Sequence, residues 1–194
     1  MERFYPIFDD VRWLEKALPL GVKFTQLRLK NRSLETVTEQ LQYGFNMCKK
    51  FGAELVVNDF WEVALNEKYD WIHLGQEDLG DADMAAIRRS GLKIGISTHD
   101  EEELDRALSF SPDYVAFGPI YPTKLKEMKW DPQGLPMIAR WKKYLGSTDL
   151  VAIGGLNLET GRSALKYGAQ SVAVSTDISS HNDPCQRIID WLAI

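Results

Sequence analysis

Three short stretches hold residues that can do chemistry together: 26–30 (QLRLK), 57–59 (VND) and 73–78 (HLGQED). Each begins in an apolar run and ends in polar or charged groups. The first places the cations Arg28 and Lys30 beside Gln26; the second ends in Asn58 and Asp59; the third holds His73, Gln76 and Asp78. Alternate residues of a strand share a face, so Gln26, Arg28 and Lys30 can converge. Arginine offers a planar fork to phosphate oxygens, and lysine adds a mobile point charge. Carboxylates from adjacent strand ends suit Mg²⁺, which takes oxygen ligands and completes its shell with substrate phosphates. The set therefore implies a phosphorylated ligand gripped through a divalent metal. Blander readings stand beside it: a solvated basic edge for 26–30, and a helix cap for Asp59. His73 has no second His or Cys at zinc-ligand spacing, which leaves it packing in the core or in a pocket.

These groups need elements that bring them to one place. Short β-rich runs alternate with amphipathic stretches along the whole chain. The runs at 3–8, 23–29, 54–58, 71–74, 93–97, 114–117, 150–153 and 171–174 read as strands. Between them, Ser33 to Lys50 reads as a helix, with Ser33 as cap and Leu34, Val37, Leu41 and Phe45 as its apolar stripe. Asp81 to Ser90, His99 to Leu108 and Leu158 to Tyr167 follow the same pattern, the last stopping at Gly168. Strict alternation implies parallel strands joined by crossover helices, and eight such units predict one closed (β/α)₈ barrel spanning 1–194. An open doubly wound sheet is the rival architecture.

In such a barrel the active site lies at the C-terminal ends of the strands. Ser97 ends the fifth strand, where it can bind phosphate or an aromatic ligand, or where it or Thr98 can cap the next helix. Nothing orients His99 into a catalytic triad. The stretch from Gly118 to Pro132 is long for a compact domain and carries Thr123, Lys124 and Lys126, which can close over a diphosphate or form a solvated lysine loop. Gly155 and Ser175–Thr176 follow the last two strands, where this fold commonly binds phosphate; a ligand-free tight turn is the alternative for Gly155.

A hydrophobic fraction of 44% with 26% charged residues fits a soluble globular domain. A net charge of −5 argues against a general nucleic-acid binder, which carries a basic stripe. No apolar run approaches the ~18 residues that cross a bilayer, and the first ten residues lack a signal-peptide core. Cys48 and Cys185 fit no metal or redox spacing, so the expected location is the cytoplasm. Trp130, Trp141 and Tyr144 are candidates either for a homo-oligomer contact or for sealing the helix after the long loop.

Seven stretches in order, 26–30, 56–59, 73–79 (HLGQEDL), 95–99 (GISTH), 114–123 (YVAFGPIYPT), 152–156 (AIGGL) and 171–178 (SVAVSTDI), give the chain its resemblance. It resembles the thiamine phosphate synthase family, which also contains the thiazole tautomerases. The resemblance covers nearly the whole length. It implies a (β/α)₈ barrel that condenses an aminopyrimidine-methyl diphosphate with a thiazole phosphate and releases pyrophosphate. By matched position, Asp59 and Asp78 would hold Mg²⁺, and Arg28, Lys30, Asn58 and Lys126 would bind the diphosphate. Gln26, His73, Gln76, Ser97 and His99 would line or adjoin the pyrimidine pocket. Thr123, Gly155, Ser175 and Thr176 would take the thiazole phosphate. Two positions depart from the family pattern: Leu125 replaces a hydroxyl residue in the P-T-x-T-K loop, and Thr176-Asp177 stands where Ser-Ala is common. The other activities to weigh are a tautomerase-like isomerase and a non-catalytic paralogue that binds a phosphorylated ligand.

Overall fold

In the computed structural model, which describes residues 1–123 and 130–194, eight parallel strands close into a barrel in sequence order. They are β1 (Phe4–Phe8), β2 (Phe24–Leu27), β3 (Glu54–Asn58), β4 (Trp71–Leu74), β5 (Lys93–Thr98), β6 (Tyr114–Phe117), β7 (Asp149–Ile153) and β8 (Ser171–Val174). The helices are α1 (Arg12–Ala17), α2 (Leu34–Phe51), α3 (Trp61–Asn66), α4 (Met84–Ser90), α5 (Glu101–Ser109), α6 (Gly134–Leu145), α7 (Leu158–Lys166), α8 (Thr176–Ser179) and α9 (Pro184–Leu192). The closed barrel replaces the open-sheet alternative: β8 pairs with β1 through Phe4–Val172 and Tyr5–Ala173.

Period-two alternation divides the apolar residues between two cores. Tyr5, Phe24, Val56, Trp71, Tyr114, Val151 and Ala173 fill the barrel interior. Their strand neighbours, such as Leu27, Val57, Ile72, Ile94, Val115 and Val172, face outward against the helices. The interior is thus a packed core rather than a pore, with polar residues at its two ends.

The helices follow from local chemistry. Ser33 caps α2 by accepting from the Thr36 amide at 3.3 Å, and Gly52 ends the helix at φ 61°. The buried stripe of α2 is Val37, Leu41, Gly44 and Cys48. Leu34, the first residue of the helix and expected in the stripe, is exposed. Asp83, Asp100, Asn157 and Asp183 cap α4, α5, α7 and α9. α9 closes the chain against the first strand, where Trp191 stacks on Phe4 with ring centres 5.6 Å apart.

Candidate functional site

β2, β3 and β4 end side by side, and their last residues meet. Arg28 continues the ladder past β2, its amide donating to the Phe8 carbonyl at 2.8 Å, while its side chain is exposed. Lys30 forms an ion pair with Asp59. Asn58, the last residue of β3, is buried. Asp59 adopts φ 65°, a left-handed conformation that is uncommon for a non-glycine residue and clusters at functional positions. It does not cap α3: the capping residue is Phe60, and no side chain caps that helix. Asp78 sits in a single 3₁₀ turn (Asp78–Gly80) after β4 and accepts from the Gly75 amide at 2.8 Å. Burial, and then the neighbouring Asp59 charge, raise the Asp78 carboxyl above the ordinary carboxylate range; Lys30 opposes the shift. The Asp59 charge thus disfavours that of Asp78, with Lys30 beside both. Such a pair of carboxylates offers oxygen donors of the kind that Mg²⁺ takes.

Below this rim a polar chain crosses the barrel. The Gln26 amide nitrogen donates to Tyr5 Oη at 2.7 Å, and Tyr5 Oη meets Tyr114 Oη at 2.9 Å. Tyr114 Oη lies 2.8 Å from His73 Nδ1, and His73 Nε2 lies 2.8 Å from Ser97 Oγ. Burial dominates His73 and pushes its imidazole down to about 4, with nearby Asp59 opposing the shift and Arg28 reinforcing it. The ring is therefore neutral at ordinary pH. Burial likewise raises both tyrosine hydroxyls, which stay protonated. Gly95 makes room for the chain: a Cβ there would lie 1.9 Å from Tyr114 Cζ. Pairing of His73 with Gly95, and of Gly95 with Tyr114, fixes these residues in one layer.

The β5 rim is built differently. Asp100 caps α5, accepting from the Glu103 amide at 2.9 Å, so neither Ser97 nor Thr98 serves as the cap. Thr98 is buried and bonds the Ala116 carbonyl. His99 joins Glu103 through Nδ1 at 2.7 Å and stacks on Trp130 at 4.0 Å between ring centres. Gln76, expected to line or adjoin the pocket, donates its amide nitrogen to the Ser97 and Glu103 carbonyls at 2.8 and 3.3 Å. It ties the β4 end to β5 and α5 because those carbonyls, at the end of a strand and within a helix, lie within its reach. Both His99 and Gln76 thus adjoin the site while holding its wall.

After β6 and β7 the backbone explains the glycines. At Gly155, with φ 65°, a Cβ would lie 2.5 Å from the Pro122 carbonyl oxygen. Tyr121 donates its amide to Gly154 at 3.0 Å, so this loop packs directly on the glycine pair. Close packing by the chain itself accounts for Gly155 without a ligand. Ser175 precedes α8, a short helix beginning at Thr176, at the place expected for a phosphate site. Thr123 is half-buried at the edge of the described residues, while Lys124, Leu125 and Lys126 lie outside them.

A model of the family described as thiamine monophosphate synthase matches residues 4–178. The chain is 49% identical to a thiamine-phosphate synthase of Rhizobium etli, across 100% of this chain and 95% of that protein. It is 40% identical to the thiamine-phosphate synthase of Citrobacter koseri, across 98% and 90%. Among solved structures it is similar to a thiamine phosphate pyrophosphorylase from Pyrococcus furiosus, with TM-score 0.86, 26% identity and 97% and 93% coverage. The chain belongs to the thiamine monophosphate synthase family.

Within that family the Asp177 departure has a structural account. Arg187 grips its carboxylate with Nε at 2.7 Å and Nη2 at 2.9 Å, and Trp191 Nε1 donates at 2.8 Å. The charge is turned onto α9 and neutralised there rather than aimed at a phosphate. Tyr5, Tyr114 and Trp130 contact the candidate site residues, which their types and positions in the sequence do not reveal. Tyr114 lay inside a matched stretch, but a strand tyrosine reads as core until its partners are known. The aromatic candidates for a subunit contact also resolve: Trp141 is buried and stacks on Phe117 at 3.7 Å, sealing α6. Trp130 covers His99, and only Tyr144 is exposed, bonded to Asp105. A cavity of about 450 Å³ lies at the opposite barrel end near Glu54, Tyr69 and Lys93, away from this chemistry.

Proposed function

We propose that the chain joins an aminopyrimidine-methyl diphosphate to a thiazole phosphate, forming thiamine phosphate and releasing pyrophosphate. Membership of the family supports this reading, and the observation that carries it within the site is the Asp59–Asp78 pair beside Lys30 and Arg28. Two close carboxylates fit Mg²⁺, whose remaining ligands would come from the substrate phosphates. When bound there, Mg²⁺ would neutralise charge on the departing diphosphate.

The chain's own residues do the rest. Arg28, Lys30 and Asn58 bind the diphosphate and stabilise the charge that grows on it as its bond to the methylene carbon breaks. Lys126 would help to neutralise that charge. Gln26, His73 and Ser97 hold the aminopyrimidine ring, whose electrons can stabilise the methylene cation. The thiazole nitrogen then attacks that carbon, so no side chain has to act as a strong base. Tyr5, Phe24 and Tyr114 floor the pocket with packed side chains, which keeps water from capturing the cation. Thr123, Gly155, Ser175 and Thr176 face the second phosphate. An isomerase has no need of the carboxylate pair, and Asp177, held by Arg187, no longer favours a binding-only protein.

Among the described residues no helix is long and apolar enough to cross a membrane. Small-molecule substrates and a cytoplasmic location complete the proposal. A homo-oligomer would have to use Tyr144 or a face other than the one first considered. The test is product analysis by mass spectrometry after incubation with both substrates, once with Mg²⁺ and once with EDTA. Thiamine phosphate with Mg²⁺ alone is the expected outcome; none in either condition, from a folded protein, would refute the reading.

A further inference from the structure

The polar chain through the barrel has a direction. An amide N–H only donates, so Tyr5 Oη accepts from Gln26 and must pass its own single proton to Tyr114. Tyr114, having accepted, gives its proton to His73 Nδ1. A neutral imidazole with an accepting Nδ1 carries its proton on Nε2, which donates to Ser97 Oγ. Every hydroxyl and ring proton of the chain then has an acceptor except the Ser97 hydroxyl proton. Ser97 is only partly buried, at the C-terminal end of the barrel, while Tyr5 and Tyr114 are fully buried. Turning the Gln26 amide over would reverse every bond, put the imidazole proton on Nδ1 and make Ser97 donate back to His73. The two arrangements present opposite polarities to a ligand.

We propose that Tyr5 and Tyr114 are positioning residues which, through His73, fix Ser97 as a hydrogen-bond donor, so that the pocket selects a ring presenting an unprotonated nitrogen to it. This deepens the function proposed above and rests on it for the identity of the ring. Neither tyrosine need touch the substrate. A ring protonated at that nitrogen would set two donors face to face and be rejected. The interior position of both phenols explains why Gly95 is needed opposite Tyr114, since any side chain there would break the chain at its middle.

The experiment is ¹⁵N NMR of the histidine side chains in the whole protein without substrate. The sequence has three histidines, and His73→Gln assigns the signal. The wild type is expected to show a protonated Nε2 and a bare Nδ1. Tyr114→Phe removes the donor to Nδ1 while keeping the ring, so the two tautomers should mix. In that variant KM for the aminopyrimidine substrate should rise about tenfold, near 1.4 kcal/mol, with a smaller change in kcat. Tyr5→Phe should act in the same direction and more weakly. A proton on Nδ1 in the wild type, or an unchanged tautomer in Tyr114→Phe, would overturn the inference. The NMR readout needs no substrate, so the expected tautomers without any pyrophosphate release would strike the assigned activity and leave the directed chain standing.

Discussion

At the N-terminal ends of the barrel strands, charges meet their opposites. Glu54 opens β3 and Lys93 opens β5; they pair at 3.3 Å, and Trp71 Nε1 donates to the same Glu54 carboxylate at 3.0 Å. Lys93 also lies over the Trp71 ring at 4.7 Å, and Asp149 at the start of β7 faces the chain's amino group at 3.7 Å. At the C-terminal ends Lys30 pairs with Asp59, but like charges meet there as well. Asp59 is held at positive φ, Asp78 is pressed against it with its carboxyl raised, and Arg28 extends with its side chain exposed. The same eight strands therefore carry a settled end and an unsettled one. Natural chains keep local conflict where it serves a ligand, and the unsettled end is where a cation and a diphosphate would relieve it.

Asp78→Asn is expected to give the largest effect. Turnover should fall about 10³-fold, the scale of removing a main electrostatic stabiliser, while thermal stability holds or rises as a like-charge contact disappears. Steady-state pyrophosphate release and a melting curve on the same sample check both. Loss of stability together with activity would make Asp78 a structural residue and erase the contrast between the ends.

The buried imidazole comes next. His73 is pushed down to about 4 in the fold. Between that value and its ordinary one near 6.5, the unfolded chain binds the extra proton. Stability therefore rises with pH across this window and is lost as pH falls through it, by up to about 3 kcal/mol. Asp78 works in the opposite sense, since its raised carboxyl favours the fold at lower pH. Urea unfolding from pH 4 to 7 should show the rise in wild type, a steeper rise in Asp78→Asn and a flatter one in His73→Gln.

Asp177→Ala should cost about 1–3 kcal/mol, because it leaves the half-buried Arg187 and the Trp191 indole without their acceptor. Turnover should survive, since the carboxylate faces α9. Smallest of all is Glu54→Gln at the settled end: an exposed pair is worth less than about 1 kcal/mol, and turnover should not change. Chemical denaturation and the release assay separate these two cases; a large activity loss in Glu54→Gln would put function at the wrong end.

Much of this was legible in the sequence because the barrel repeats a simple pattern. The predicted strand at 54–58 matches β3, and those at 71–74, 114–117 and 171–174 match β4, β6 and β8. Continuous apolar runs bounded by polar ends mark a buried parallel strand plainly. α1 and α3 were not foreseen, since six residues cannot display a helical period. The Asp59–Asp78–Lys30 cluster was readable from charge at strand ends, but the left-handed backbone of Asp59 was not. For Gln76 and His99 the sequence leaves lining and adjoining open, because polar residues beside a site look alike whether they face the ligand or brace its wall. Tyr5 and Tyr114 were hidden because their role depends on partners from strands 109 residues apart in the chain.

The most direct test is the Mg²⁺ dependence of pyrophosphate release, compared among wild type, Asp59→Asn and Asp78→Asn. The account predicts saturable release in wild type that EDTA abolishes, and in both variants a much lower rate that needs far more Mg²⁺. Release in EDTA, or the same Mg²⁺ curve in all three proteins, would contradict it.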